Sequence, residues 1–449
     1  MSKIISLCKR RGFIFQSSEI YGGFGSCYDF GPLGVEMKNN IKKAWWDEMT
    51  KNQNPPAGGI VGLDAAILMS PKVWEASGHL TAGFADELVE CKECHKRFRL
   101  DELKMKKCPE CGGQLTEPRK FNLMMKTHIG PVEDDAAFTY LRAETCQGIY
   151  VNFENILNTM RLKIPFGVAQ IGKAFRNEIT PGDFIYRTRE FEQMEMEWFC
   201  QPKEAEKYFD YWKKERINWY LNLGIKKERF RLREVPKEER PHYARETVDI
   251  EYNFPFGWGE LEAINNRGDF DLSNHSKNSG KDLRYYDEDS KEKYFPYIIE
   301  TSGGIDRSFL AFLCDAYQEI KGGRTKTTKA TKGVEILLKL DKKIAPIKVA
   351  VLPLVRNKPG LVKKAKEVYQ ILKPHFVCQY DELGSIGRRY RRVDEIGCPW
   401  VLTIDFDTLK DNTVTLRDRD TMAQERVKIA DLVELLKEKL SEAKPRPLS

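Results

Sequence analysis

Residues 190–199 read Glu-Phe-Glu-Gln-Met-Glu-Met-Glu-Trp-Phe, and this alternation constrains the fold more than any other stretch. In a strand, successive side chains go to opposite faces. Phe191, Gln193, Glu195 and Glu197 therefore share one face, and Met194, Met196 and Trp198 share the other. One face can line a polar pocket while the other feeds a core, which is the pattern of a half-open sheet. A partner strand is predicted at 167–175, across a charged segment from Glu178 to Arg189, with further strands at 257–264 and 297–302. Apolar residues at helical spacing predict helices over 35–49 (Val35, Met37, Ile41, Trp45, Met49) and 305–320 (Ile305, Phe309, Phe312, Leu313, Ala316, Ile320). A third helix is predicted over 204–221, covering the sheet. The class is α+β.

The run 321–332, Lys-Gly-Gly-Arg-Thr-Lys-Thr-Thr-Lys-Ala-Thr-Lys, is basic and poor in core residues, and reads as a boundary or a loop. Beyond it, strands at 349–354, 376–380, 400–404 and 413–417 alternate with helices at 361–372 and 422–440, a compact α/β module. The 449 residues leave room for a large enzyme domain besides. With 31% charged residues and no long uncharged apolar run, nothing predicts a membrane span, and the first residues do not read as a secretion signal. The formal charge of +7 permits a polyanionic partner without requiring one.

Seven of the eleven cysteines (Cys8, Cys27, Cys146, Cys200, Cys314, Cys378 and Cys398) are scattered singly, which points to a reducing cytoplasm. The other four form two knuckles, Cys91-Lys-Glu-Cys94 and Cys108-Pro-Glu-Cys111-Gly-Gly. Two such turns can each present two thiolates to one tetrahedral Zn2+, and four sulfurs leave no open position, so the site reads as structural. Metal-free thiols or redox work are the alternative. His95 reads as an exposed neighbour rather than a ligand.

Three separated motifs, Arg176-Asn-Glu178, Arg189-Glu-Phe191-Glu-Gln193-Met-Glu195 and Gly303-Gly-Ile-Asp-Arg307, resemble the ATP-binding strands and closing strand-to-helix element of class II aminoacyl-tRNA synthetases. Ser18-Glu-Ile-Tyr-Gly-Gly23 and Gly31-Pro-Leu-Gly-Val-Glu36 resemble the glycyl branch of that family. The resemblance implies a class II catalytic domain over 1–340, an antiparallel sheet flanked by helices. It would include a zinc-binding insertion at 88–120 and a partly separate insertion at 200–255. A C-terminal α/β anticodon-binding domain would follow over 341–449. The implied activity is ATP-dependent activation of glycine to the adenylate, releasing pyrophosphate, and transfer to the terminal adenosine of tRNA(Gly), with Mg2+ as cofactor. A homodimer is also implied, built from the 35–49 helix and a strand at 66–70 closed by Pro71.

By the same resemblance, Arg176 bridges the α-phosphate and the amino-acid carboxylate, Glu178 meets the adenine amino group, Phe191 stacks on adenine and Arg307 grips the γ-phosphate. Glu260 matches the metal-binding acid; Glu262, two residues on, is predicted to point the same way, as pocket wall or solvated neighbour. Glu144, Glu195, Glu300 and Ser302, with Arg176, match the glycine site. No catalytic histidine is needed, because the attacking carboxylate is already ionised; His79, His128 and His242 stay open between structural and substrate-facing roles. For tRNA, Arg187 in the 179–188 loop and Arg388, Arg389, Arg391 and Arg392 around Tyr390 combine cations with an aromatic, with Arg417 and Arg419 as softer candidates. Solvated basic face is an equal alternative for the 388–392 run.

Ala143, Cys146, Gly268 and Gln16 depart from the glycyl pattern without removing a proposed charge. Three other readings stand beside the main one. A related class II synthetase, such as a threonyl-type enzyme, would want an open zinc site with mixed ligands. An inactive synthetase-like accessory dimer would not need intact Arg176, Glu178, Glu260 and Arg307. A zinc-ribbon nucleic-acid binder explains the cysteine segment alone.

Overall fold

The computed structural model describes residues 1–52, 59–80, 84–100, 103, 105–131, 138–179, 182–324 and 333–441. Its main sheet has seven strands in the order Phe230–Glu234, Glu246–Phe254, Gly257–Gly268, Tyr297–Gly304, Glu190–Cys200, Phe166–Phe175 and Ile60–Gly62. All neighbours run antiparallel except Ile60–Gly62, which lies parallel to Phe166–Phe175. The sheet is therefore mixed rather than purely antiparallel; a parallel pair needs a long crossover, and residues 63–165 supply it.

The strand Glu190–Cys200 is central, and its alternation does what the sequence predicts. Met194, Met196 and Trp198 are fully buried in one core with Leu261, Ile264 and Ile299. Three helices cover that side. Pro32–Asp47 starts earlier than predicted because Pro32 sits in the first turn, where its missing N–H costs nothing; it buries Met37, Ile41 and Trp45. Ala205–Asn222 buries Trp212, whose ring lies 5.7 Å from that of Trp198. Ile305–Ala316 stops four residues short of the predicted end, because Tyr317–Lys321 leaves as a strand and pairs with Val334–Leu338. Of the predicted boundary at 321–332, positions 325–332 lie outside the described residues.

The region 200–255 is not set apart from the sheet: it contributes the Ala205–Asn222 helix and two strands of the sheet. The predicted strand at 66–70 shortens to Leu68–Met69, and Pro71 opens the helix Pro71–Ala76. The four-cysteine segment is carried by a three-stranded sheet of Arg97–Arg99, Ala85–Glu90 and Arg119–Asn122.

The C-terminal sheet has the order Cys378–Tyr380, Val349–Pro353, Trp400–Ile404, Thr413–Asp418, Gln424–Lys428, parallel across the first three strands and antiparallel beyond. The predicted helix at 422–440 begins only at Leu432. Gln424–Lys428, with Val427 alone buried, is instead a charged edge strand. Leu338 and Leu340 share a core with Ala350, Leu352 and Val393, so this module packs directly on the preceding one.

Candidate active site

A cavity of about 330 Å³ opens on the polar face of the main sheet, with Phe191, Gln193 and Glu195 of the central strand in its wall. Arg176, Glu178, Glu260 and Arg307 line it, and so do Glu144, Glu300, Ser302 and Arg187. Residues from distant parts of the chain thus converge because strand ends and one helix start point at the same space.

At one end, Arg176 follows the strand Phe166–Phe175. Its guanidinium carbon lies 5.4 Å from the ring centres of both Phe84 and Phe191, and its Nε donates to the Ala143 carbonyl at 3.1 Å. Glu178 is buried, and among the described residues its Oε2 has no hydrogen-bond partner. A buried acceptor of this kind calls for a donor that the described residues do not supply. Arg307, in the first turn of Ile305–Ala316, reaches Glu260 Oε1 at 3.0 Å, and its Nε donates to the Tyr186 carbonyl at 3.2 Å. Asp306, beside it in the cavity lining, pairs with Lys38 Nζ at 2.8 Å.

Glu262 does not share the face of Glu260. The pairing of Glu246–Phe254 with Gly257–Gly268 shifts register, with Glu251 opposite Glu260 and Ile250 opposite Glu262, leaving Leu261 as the extra residue of a β-bulge. The bulge reverses the alternation. Glu260 faces the cavity, half exposed, whereas Glu262 is fully buried behind the sheet, bonded to Arg216 Nε at 2.5 Å and to the Tyr220 hydroxyl at 2.8 Å. Gly303 stands opposite: a Cβ there would meet Met194 Cε at 2.9 Å and Glu262 Oε2 at 3.2 Å.

At the other end, Glu144, Glu195 and Glu300 are buried around one floor. Glu195 accepts from Ser302 Oγ at 2.6 Å, Gln193 Nε2 at 2.9 Å and the Thr145 N–H at 2.9 Å. Glu300 accepts from Asn265 Nδ2 at 2.6 Å and Arg267 Nη1 at 3.0 Å. Burial pushes the Glu300 carboxyl up to about 7, against the pull of Arg267 and with added repulsion from Glu195 and Glu144. Burial likewise raises Glu195, whereas Glu144 is held well below the carboxylate range, burial being outweighed by His79 and Arg267. Such a floor is short of positive charge and suits a small cation with several donors, as an ammonium is.

Asp249, beside Glu260 in the cavity wall, is pushed up to about 7 by burial and by the Glu260 carboxylate. Two hard oxygen ligands that crowd each other's charge fit a divalent cation such as Mg2+. The sequence alone does not single out Asp249, Arg267 or Asn265, and it leaves His79 open between a structural and a substrate-facing role.

The four sulfurs of Cys91, Cys94, Cys108 and Cys111 lie within 4.8 Å of one another, with Cys91–Cys111 at 3.5 Å and Cys94–Cys108 at 3.6 Å. Tetrahedral ligands about 2.3 Å from a zinc ion would stand roughly 3.8 Å apart, so the donors fit that ion. The Cys94 N–H points at Cys91 Sγ, and backbone donors lower the Cys91 thiol to about 6. His95 is exposed and faces Glu90.

The basic candidates separate. Arg388 and Arg391 are exposed on the helix Ile386–Glu395, and Arg187 lines the cavity. Arg389 is buried and donates to the carbonyls of Pro353 and Leu354. Arg392 is paired with Asp381 at 2.5 Å. Arg417 is buried against Asp394 at 2.9 Å, and Arg419 is buried on the carbonyls of Gly397 and Leu340. Arg389, Arg417 and Arg419 are therefore corrected: their donors brace the module and do not face a nucleic acid.

Residues 131–317 match the model of the family described as tRNA synthetase class II core domain (G, H, P, S and T), and residues 348–439 match that of the Anticodon binding domain. The chain is 52% identical to the glycine--tRNA ligase of Treponema denticola over 454 aligned residues, covering 99% of this chain and 98% of the relative. It is 49% identical to that of Thermobifida fusca, with 98% of each chain covered, and 51% identical to that of Streptomyces coelicolor, with 95% of each covered.

Proposed function

The chain belongs to the glycine--tRNA ligase family of class II synthetases, and we infer from its site how it joins glycine to tRNA(Gly) at the expense of ATP. The single observation that carries this reading is the one cavity holding a cationic, aromatic end and a buried three-carboxylate end.

In the first step the glycine carboxylate attacks the α-phosphate of ATP and pyrophosphate leaves. Two anions must approach, so the work of the protein is charge screening and alignment. Arg176, clamped between Phe84 and Phe191, stands where it can bridge the carboxylate and the α-phosphate. Phe191 offers a face for adenine, Glu178 Oε2, without a partner among the described residues, can accept from the adenine amino group, and Arg307 takes the far phosphate. Glu260 and Asp249 would hold Mg2+, which when bound screens the phosphate charge. Glu144, Glu195 and Glu300 hold the ammonium, and Ser302 and Ala263 close the wall against a side chain. Forcing a methyl group into a filled wall costs more than its burial returns, so rejection of alanine is steric.

In the second step a ribose hydroxyl of the terminal adenosine of the tRNA attacks the glycyl carbonyl carbon, its proton is lost, the bond to the adenylate phosphate breaks and AMP leaves. Arg187 in the cavity wall is placed for the acceptor end, and the exposed Arg388 and Arg391 on the C-terminal module suit phosphate contact. We place the division between catalytic and anticodon-binding parts near residue 340, and Zn2+ in the four-cysteine site as a structural ion. We take the protein to act as a homodimer, with the exposed apolar Val35 and Leu68 supporting an interface there. Among the described residues no helix is long and apolar enough to cross a membrane. The cytoplasm is our placement, because eleven thiols stay reduced there. Incorporation of labelled pyrophosphate into ATP, dependent on glycine and independent of tRNA, tests the first step; charging of tRNA(Gly) tests the second.

A further inference from the structure

His79 plays no part in the reaction just described, yet it is buried and has both ring nitrogens engaged. Nδ1 meets Ser77 Oγ at 2.7 Å, and Nε2 meets Glu144 Oε2 at 3.2 Å. Whichever way the Ser77 proton points, Nε2 carries the hydrogen toward the carboxylate, because Glu144 offers only acceptors when ionised. The other oxygen, Oε1, is taken by Gln147 Nε2 at 2.9 Å and Cys146 Sγ at 3.0 Å. Each carboxylate oxygen accepts about two hydrogen bonds. Oε1 is filled by two donors, and Oε2 keeps one place.

The imidazole is also tied to the four-cysteine module. Its ring centre lies 4.6 Å from that of Phe84, the residue just before the strand Ala85–Glu90, which runs directly into Cys91. Its backbone carbonyl accepts from Asn122 Nδ2 at 2.8 Å, and Asn122 ends the strand Arg119–Asn122 on the way out of the module. The next residue, Leu123, accepts the Asn177 N–H at 2.8 Å, one position from Arg176. Both chain connections of the module therefore meet Arg176, which lines the pocket, or the residue next to it. A purely packing role would be served by an apolar ring, with no need to satisfy two buried nitrogens.

We propose that His79 is a positioning residue for amino-acid binding: its Nε2–H holds Glu144 so that the one accepting place left on Oε2 meets the ammonium, and the four-cysteine module holds His79 in that pose through Phe84 and Asn122. The proposal rests on the reading of Glu144 as a glycine-binding residue.

The test measures Michaelis constants for glycine and ATP in pyrophosphate exchange, with glycine binding by calorimetry alongside, for His79→Gln, Ser77→Ala, Asn122→Asp and Glu144→Gln in the full chain. His79→Gln exchanges the ring's fixed Nε2–H for a flexible amide and gives up the Ser77 contact and the packing on Phe84, so the hold on Glu144 weakens and the glycine constant rises about tenfold while the ATP constant stays within about threefold. Ser77→Ala and Asn122→Asp, milder changes that keep the ring, move the glycine constant in the same direction by less. Glycine constants within about twofold of the parent for His79→Gln and Ser77→Ala, with Glu144→Gln still raising its own, overturn the role of His79 and leave the glycine site standing. Glycine and ATP constants rising together also overturn it, since that is the mark of general loosening. An unchanged glycine constant in Glu144→Gln overturns both readings. Where His79→Gln does not fold, Ser77→Ala and Asn122→Asp decide.

Discussion

Arg216 Nε lies 2.5 Å from Glu262 Oε1, and neither side chain reaches solvent. The pair sits behind the sheet, while Glu260, two positions earlier, reaches Arg307 in the cavity at 3.0 Å. A single bulged residue, Leu261, divides a pocket acid from a structural one.

Truncating Glu262 to alanine strands a buried guanidinium, which costs roughly 3–5 kcal/mol. Glu260→Gln, at a half-exposed position, leaves the thermal midpoint within about 2 °C and lowers the exchange rate on the order of 100-fold. Thermal melts and exchange kinetics on the two variants check this; equal melting losses would refute the opposed faces.

Arg176→Lys keeps the charge and loses the flat fork between Phe84 and Phe191. Its kcat/KM in exchange falls by about 100-fold with the fold intact. Near-parental turnover would show that a point charge suffices.

Glycine binding by Glu300 requires its anion, and burial places that carboxyl at about 7. The glycine Michaelis constant therefore rises as pH falls below about 7 and is flat above it, while the ATP constant does not follow the same curve. A pH series of exchange assays, with both substrates varied, measures it.

Glu197 stands directly across from Glu300 on the neighbouring strand, with Oε2 accepting from the Tyr150 hydroxyl at 2.7 Å. Burial first, and Glu300 second, raise its carboxyl well above the ordinary range. A raised carboxyl favours the fold below its unfolded value of about 4.3 and loses that contribution as pH rises toward the folded value. Glu197→Gln mimics the protonated form, so its melting advantage over the parent grows between pH 5 and pH 8. A constant or shrinking difference contradicts the assignment.

Zinc analysis of purified protein is expected to find one ion per chain, bound by Cys91, Cys94, Cys108 and Cys111. Cys108→Ser or strong chelation lowers the melting temperature, because structural zinc contributes folding energy directly. Full stability after complete metal removal would contradict a structural site.

The sheet was legible from the alternation of Met194, Met196 and Trp198 with Phe191, Gln193 and Glu195, because a strand's side-chain period is two whatever surrounds it. The same rule failed at Glu262, since a bulge depends on the partner strand and leaves no mark on one strand read alone. Arg389 and Arg417 looked like nucleic-acid contacts because a charge pattern does not say which cations find carbonyls or Asp394 inside the module. His79 stayed open for the same reason: its partner Glu144 lies 65 positions away, brought close by the fold. Local periodicity is written in neighbouring residues, and the partners of buried polar groups are not.

Pyrophosphate exchange into ATP, run without tRNA and with glycine, alanine, serine and threonine in parallel, addresses the central claim most directly. Strong exchange with glycine and little with the other three is expected, from a pocket whose buried carboxylates hold the ammonium and whose wall refuses a side chain. Folded protein with Mg2+ supplied that exchanges with none of them, or prefers threonine, would contradict it.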